Sequence, residues 1–177
     1  LDGLVNNAWA NFWHGVAGAS RDDIDACFSL HIYAAGALAQ EAYPALKTAG
    51  GGRLVNMSSV HARHTMPGTF PYNVSKSMLV ALTKSIAIEW GRDNIQSVAI
   101  APGLTLSGAA EVFFDALDDP VSVRDHFTGS YPLYRGARVV DVAATVFHLL
   151  SSANQFISGT TIYVDGGLGA LDPEAVY

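Results

Sequence analysis

Short apolar runs alternate along the chain with longer stretches whose apolar positions recur every three or four residues. Residues 1–5, closed by Asn6-Asn7, predict a buried strand. Ser20, Asp22 and Asp23 offer an N-cap and first-turn acids for a helix. Its apolar positions Ile24, Phe28, Ile32, Leu38, Tyr43 and Leu46 carry it to Thr48, where Gly50-Gly51-Gly52 stops it. Residues 53–57 predict a second strand ending at Ser58-Ser59, and a loop rich in His, Thr, Pro and Gly follows to Pro71. Val74, Met78, Ala81, Leu82, Ser85, Ile86 and Ile88 mark a second long helix over 72–90, with Gly91 at the C-cap position. A third strand is predicted over 95–100, short helices over 107–117 and 121–127, a firmer helix over 141–150, and a fourth strand over 160–164.

Strands that are nearly all apolar, alternating with helices, argue for an α/β fold whose parallel sheet is covered on both faces. Ligands of such sheets bind beyond the carboxyl ends of the strands. That rule places Asn6-Asn7, Ser58-Ser59, Pro102-Gly103 and Asp165-Gly166 along one rim, a polar and glycine-rich clustering that suits function better than packing.

Composition narrows the field. The chain has 177 residues, half of them hydrophobic and 15% charged, which fits a single domain, or most of one, with a sizeable core. Disorder is excluded by that balance. Mean hydropathy is +0.23, yet no apolar run reaches the roughly 18 residues of a membrane span. Lys and Arg number 10 against 16 Asp and Glu, so nucleic acid is not an expected partner. The lone Cys27 rules out an internal disulfide and fits a reducing, cytoplasmic setting. Leu1-Asp2-Gly3 opens in a strand without an initiator Met, so the chain is expected to begin inside a larger fold.

Tyr72 and Lys76 stand four residues apart at the start of a helix and share one face. A free phenol is a poor base at neutral pH. A neighbouring ammonium, worth about 4 kcal/mol at an effective dielectric of about 20, is expected to bring it into the range of physiological proton transfer. Ser59 lies 13 residues upstream at a strand end, where its hydroxyl could bond a substrate oxygen. An isolated Tyr-x-x-x-Lys is more often a solvated surface pair; the strand-end serine and the shared rim tip the balance towards a site.

Asp2-Gly3-Leu4-Val5-Asn6-Asn7-Ala8, Ser59, Tyr72-Asn73-Val74-Ser75-Lys76, Pro102-Gly103 and Asp165-Gly166-Gly167 together resemble the short-chain dehydrogenase/reductase family, in order and over almost the whole length. The resemblance implies a Rossmann-type doubly wound parallel sheet, of which this chain holds the C-terminal two-thirds in one partial domain. It implies Tyr72 as general acid/base, Ser59 as the group orienting the carbonyl or alcohol, and Lys76 as the residue that tunes Tyr72 and holds the nicotinamide ribose. Asn6, Ala8, Tyr72, Lys76, Pro102, Gly103, Thr105 and Ser107 would line an NAD or NADP cofactor, with no metal. The implied reaction is hydride transfer between that cofactor and a ketone, aldehyde or alcohol. Phe113, Phe114, Leu117, Phe127 and Tyr131 fall where the family places a substrate lid, which points to an apolar substrate, although the same residues could pack as core or interface. The face bearing Leu79, Leu82 and Ile86 would serve a homo-dimer or homo-tetramer.

Three departures accompany the resemblance. His31 stands where the family usually has the Asn of a water relay to the active-site Lys, and it is either a modified relay or a structural histidine. Trp9 replaces a customary Gly, either packed on the next loop or, with Trp13 and His14, walling the substrate pocket. The Gly-rich phosphate-binding turn has no counterpart in this sequence, so the expected strand order 4-5-6-7 would leave the first strand as an open edge. His61 and His64 suit a pocket wall better than a metal site, and no nucleophile elbow surrounds Ser59. The rival expectation is a catalytically inactive fragment that acts only as an oligomerising or binding module.

Overall fold

The computed structural model describes residues 1–172. Four strands, β1 (Gly3–Asn6), β2 (Gly52–Met57), β3 (Ile95–Pro102) and β6 (Thr161–Val164), pair in the order β1-β2-β3-β6, every pair parallel. Successive residues of β2 face opposite sides, as the pleat requires. Leu54 packs with Ala39, Ala42 and Leu46 of α2 (Ala34–Thr48) and Ile86 of α3 (Tyr72–Trp90). Val55 and Met57 pack with Val142 and Leu149 of α6 (Val139–Leu150) on the other side. The sheet is therefore doubly wound, its central strands apolar because both faces are covered.

The second pair of strands, β4 (Thr105–Leu106) and β5 (Ala137–Arg138), is too short to leave a periodic trace in the sequence. Between them run α4 (Gly108–Asp115), capped by the Ser107 hydroxyl, and α5 (Pro120–Gly129), capped by Asp119.

The first helical stretch differs from the single regular helix expected. It begins as α1 (Arg21–Phe28) behind a Ser20–Asp23 capping box, widens into a π-turn over Ser29–Tyr33, and continues as α2. Cys27, His31, Ala35 and Ala39 are all buried and each four residues from the next. In a regular helix four residues overshoot a full turn by about 40°, and the wider turn offsets that drift. Leu38, placed on the apolar face by the sequence pattern, is half exposed, as is the outer face generally.

Corrections of the same kind apply to α3. Its buried face is Tyr72, Ser75, Lys76, Leu79, Thr83 and Ile86, whereas Ile88 is largely exposed. Leu79 and Ile86 are core residues, and Leu82 packs against that core, so the face expected to meet another subunit is already spent inside the fold. Gly91 stands at the C-cap of α3 as expected, though with right-handed backbone; the left-handed residue, Asn94 at φ 58°, closes the 3-10 turn that follows. Asn94 in turn crowds Gly51, whose φ of +133° and lack of a side chain let the α2–β2 turn close against it.

Candidate active site

β2 ends at Met57, and the extended Ser59 that follows starts a short 3-10 turn in which its hydroxyl accepts from the His61 amide at 3.2 Å. Tyr72 is the first residue of α3 and Lys76 lies one turn on. Ser59, Tyr72 and Lys76 are brought together at the carboxyl end of the sheet, 5%, 8% and 3% exposed.

Electrostatics there depart from the sequence expectation. Burial pushes the Tyr72 phenol up, and hydrogen bonds with Ser59 and Trp9 pull it down without prevailing. The Lys76 ammonium, turned to the Met57 carbonyl at 2.8 Å and 5.5 Å from the centre of the Tyr72 ring, does not offset that burial. Burial lowers Lys76 itself to about 8. A low-dielectric site disfavours whichever form is charged, and here that outweighs the pairing.

His31 is carried by the π-turn into the same cluster, 2% exposed, with its ring 5.8 Å from that of Tyr72. Its Nδ1 lies 2.8 Å from Ser75 Oγ, and Ser75 donates its single hydroxyl hydrogen to the Tyr72 carbonyl at 2.7 Å. The tautomer follows: Nδ1 carries the proton and donates to Ser75, which leaves Nε2 a bare acceptor. That Nε2 is buried without a partner. Burial first, and the Lys76 charge second, hold the imidazole neutral with a pKa of about 4. Cys27 Sγ is 3.6 Å from Nδ1, and burial raises its thiol pKa.

A second set of rings closes over Tyr72. Trp13, fixed by a bridge to Pro71 and by the His14 amide donating to the Phe70 carbonyl at 3.0 Å, meets the rings of Tyr72, His61 and Phe113 at 6.2, 5.8 and 5.9 Å. Trp9 reaches the phenol with its side chain while remaining half exposed. His64 is exposed beside Gly169. In the lid region Phe113 touches the cage; Phe114 and Tyr131 are buried, and Tyr131 accepts the Leu104 amide at 2.6 Å.

Residues expected to hold a cofactor border the same rim. Asn6 donates to Asn56 Oδ1 at 2.7 Å, Asn56 donates to Thr83 at 2.9 Å, and Asn6 Oδ1 is left buried and unpartnered. Pro102 ends β3, Thr105 opens β4 and bonds the Gly103 carbonyl at 3.3 Å, Ser107 caps α4, and Ala8 is exposed after β1. Ser75, Cys27, Asn56 and Thr83 were missed by sequence reasoning. The signal for Ser75 and Thr83 was polar residues on the α3 stripe that also holds Tyr72 and Lys76.

The family model described as Enoyl-(Acyl carrier protein) reductase matches residues 1–169. Among curated proteins, the 7alpha-hydroxysteroid dehydrogenase of Bacteroides fragilis is 36% identical over 98% of this chain and 66% of its own length. Dehydrogenase/reductase SDR family member 4 of Sus scrofa is 32% identical over 94% of this chain and 59% of its own length. The chain thus spans less than two thirds of these relatives. Among solved structures, a gluconate 5-dehydrogenase from Burkholderia cenocepacia J2315, in complex with NADP and tartrate, superposes with a TM-score of 0.88 at 28% identity, over 97% of this chain and 66% of that one.

Proposed function

The chain belongs to the short-chain dehydrogenase/reductase family, and from that membership we propose that it serves as an NAD- or NADP-dependent oxidoreductase acting on a small carbonyl or alcohol. The observation that carries this reading is the buried cluster of Ser59, Tyr72 and Lys76 at the carboxyl end of the sheet. Ser59 donates to the substrate oxygen and fixes it against the phenol. Tyr72, kept protonated at neutral pH by burial, is the proton donor, which favours the reductive direction. The carbonyl carbon receives a hydride, its oxygen receives the Tyr72 proton, and the phenolate left behind faces the Lys76 ammonium. His31 Nε2, a buried acceptor, holds a water that returns a proton towards Lys76.

The residues present fit a nicotinamide dinucleotide. Asn6 Oδ1 is a buried acceptor without a partner, and Lys76 spends one hydrogen on Met57. Asn6, Ala8, Tyr72, Lys76, Pro102, Gly103, Thr105 and Ser107 would hold the cofactor, which when bound supplies or takes up the hydride. A homo-oligomer is proposed as well, seated on the exposed apolar side chains Val139, Val140 and Phe147 of α6 and on Phe156 rather than on α3.

Titrating NADH and NADPH by fluorescence, then assaying a carbonyl panel, tests the reading. Tyr72→Phe should lower turnover by about 100-fold or more with dinucleotide affinity little changed. Undiminished turnover would remove Tyr72 from its role. No binding of either dinucleotide at millimolar concentration would leave the chain an oligomerising or binding module.

A further inference from the structure

The cage over Tyr72 holds two polar atoms that the proton-transfer chemistry does not use. Trp13 Nε1 and His61 Nδ1 are both buried and both lack a hydrogen-bond partner. An indole nitrogen can only donate. Leaving such a group unpaired in a protein interior costs about 1–3 kcal/mol, so its presence beside a reactive phenol calls for an occupant. Phe113 of α4 shows the shape of that occupant. Its ring stands edge-on to Trp13, at 5.9 Å and 66°, in the geometry by which aromatic cages grip a flat apolar group. Phe113 carries no oxygen, and the two polar atoms stay unsatisfied while it is there. The rings of Trp13, His61, Phe113 and Tyr72 carry no formal charge, burial keeps His61 neutral, and the nearby Lys76 ammonium is already bonded to the Met57 carbonyl, so a carboxylate or phosphate between these rings would be poorly compensated.

We infer that the substrate of this site is a neutral, flat, ring-bearing ketone or alcohol with a second oxygen, which accepts from Trp13 Nε1 and pairs with His61 once Phe113 gives way. Trp13 and His61 are then the residues that set specificity, and polyhydroxylated acids are poor ligands. The inference rests on Tyr72 as the place where the substrate reacts.

Calorimetric titration of the full chain with 6-hydroxy-1-tetralone, 1-tetralone and gluconate, with and without NADPH, tests it. The hydroxy-ketone should bind about tenfold tighter than 1-tetralone, the equivalent of one satisfied donor, and gluconate should not compete. In Trp13→Phe the two ketones should bind alike; His61→Phe carries the same test should Trp13→Phe fail to fold. Equal binding in the unmodified chain, a preference that survives both substitutions, or no ketone binding at all would overturn the inference. Preferential binding without turnover would sink the oxidoreductase reading and leave Trp13 and His61 as selective ligands of a ring that does not react at Tyr72; turnover of both ketones without preference would keep that reading and overturn this inference.

Discussion

His31 shows how a single side chain answers to solvent exclusion. Buried and held neutral with a pKa of about 4, it binds fewer protons than its unfolded counterpart between that value and the ordinary 6.5. Its contribution to stability is complete above 6.5 and is lost as pH falls towards 4. Denaturant midpoints measured across that window should drop with acid, and His31→Asn should flatten the slope; an unchanged slope would place the sensitivity elsewhere. Lys76 obeys the same rule with the opposite charge consequence. Its depressed pKa of about 8 means that the folded chain holds an ammonium against burial at neutral pH. Lys76→Met should raise stability by on the order of 1–3 kcal/mol in urea denaturation while abolishing reduction. In the unmodified protein, reduction should fall as pH rises through about 8, because the charge facing the phenolate is then lost. The pairing of Tyr72 with Lys76 was legible from four-residue spacing. The direction in which the phenol moves was not, because burial is contributed by residues far away in sequence.

Helices and loops place those side chains. The π-turn keeps Cys27, His31 and Ala35 on one face, and such turns recur at functional sites. A run of residues four apart was the sequence trace of it, obscured by exposed apolar residues such as Leu38 and Tyr33. The strands of the main sheet and α3 were legible almost to their ends, the strands as apolar runs and α3 by the period its own residues supply. The two-residue strands β4 and β5 were not, since two residues define no period. The β3–β4 loop depends on Gly103, where an added Cβ would lie 2.8 Å from the Tyr131 ring and hydroxyl. Gly103→Ala should cost about 1–3 kcal/mol by overpacking, read from urea unfolding, and should weaken dinucleotide binding. A variant as stable as the parent would show that Tyr131 yields freely.

Across the whole described chain, the open flank of the sheet dominates. β1 pairs with β2 alone among the described residues, and Leu4 and Val5 pack only partly against the core. Unpaired strand edges recruit partners. This chain, expressed as it stands, should therefore sediment with a size that grows with concentration, and a constant monomeric coefficient over the micromolar range would contradict it. No helix among the described residues is long and apolar enough to cross a membrane.

Local covalent order was sufficient for the succession of strands and helices, for the rim on which polar residues gather, and for the nearness of Tyr72 to Lys76. Each of these depends on neighbours within a turn or a strand. The fold alone joined His31 to Ser75 across 44 positions, turned Lys76 to the Met57 carbonyl, and closed Trp13 over Tyr72. Those outcomes depend on which distant groups exclude water together, and solvent exclusion is a property of the packed chain rather than of any segment of it.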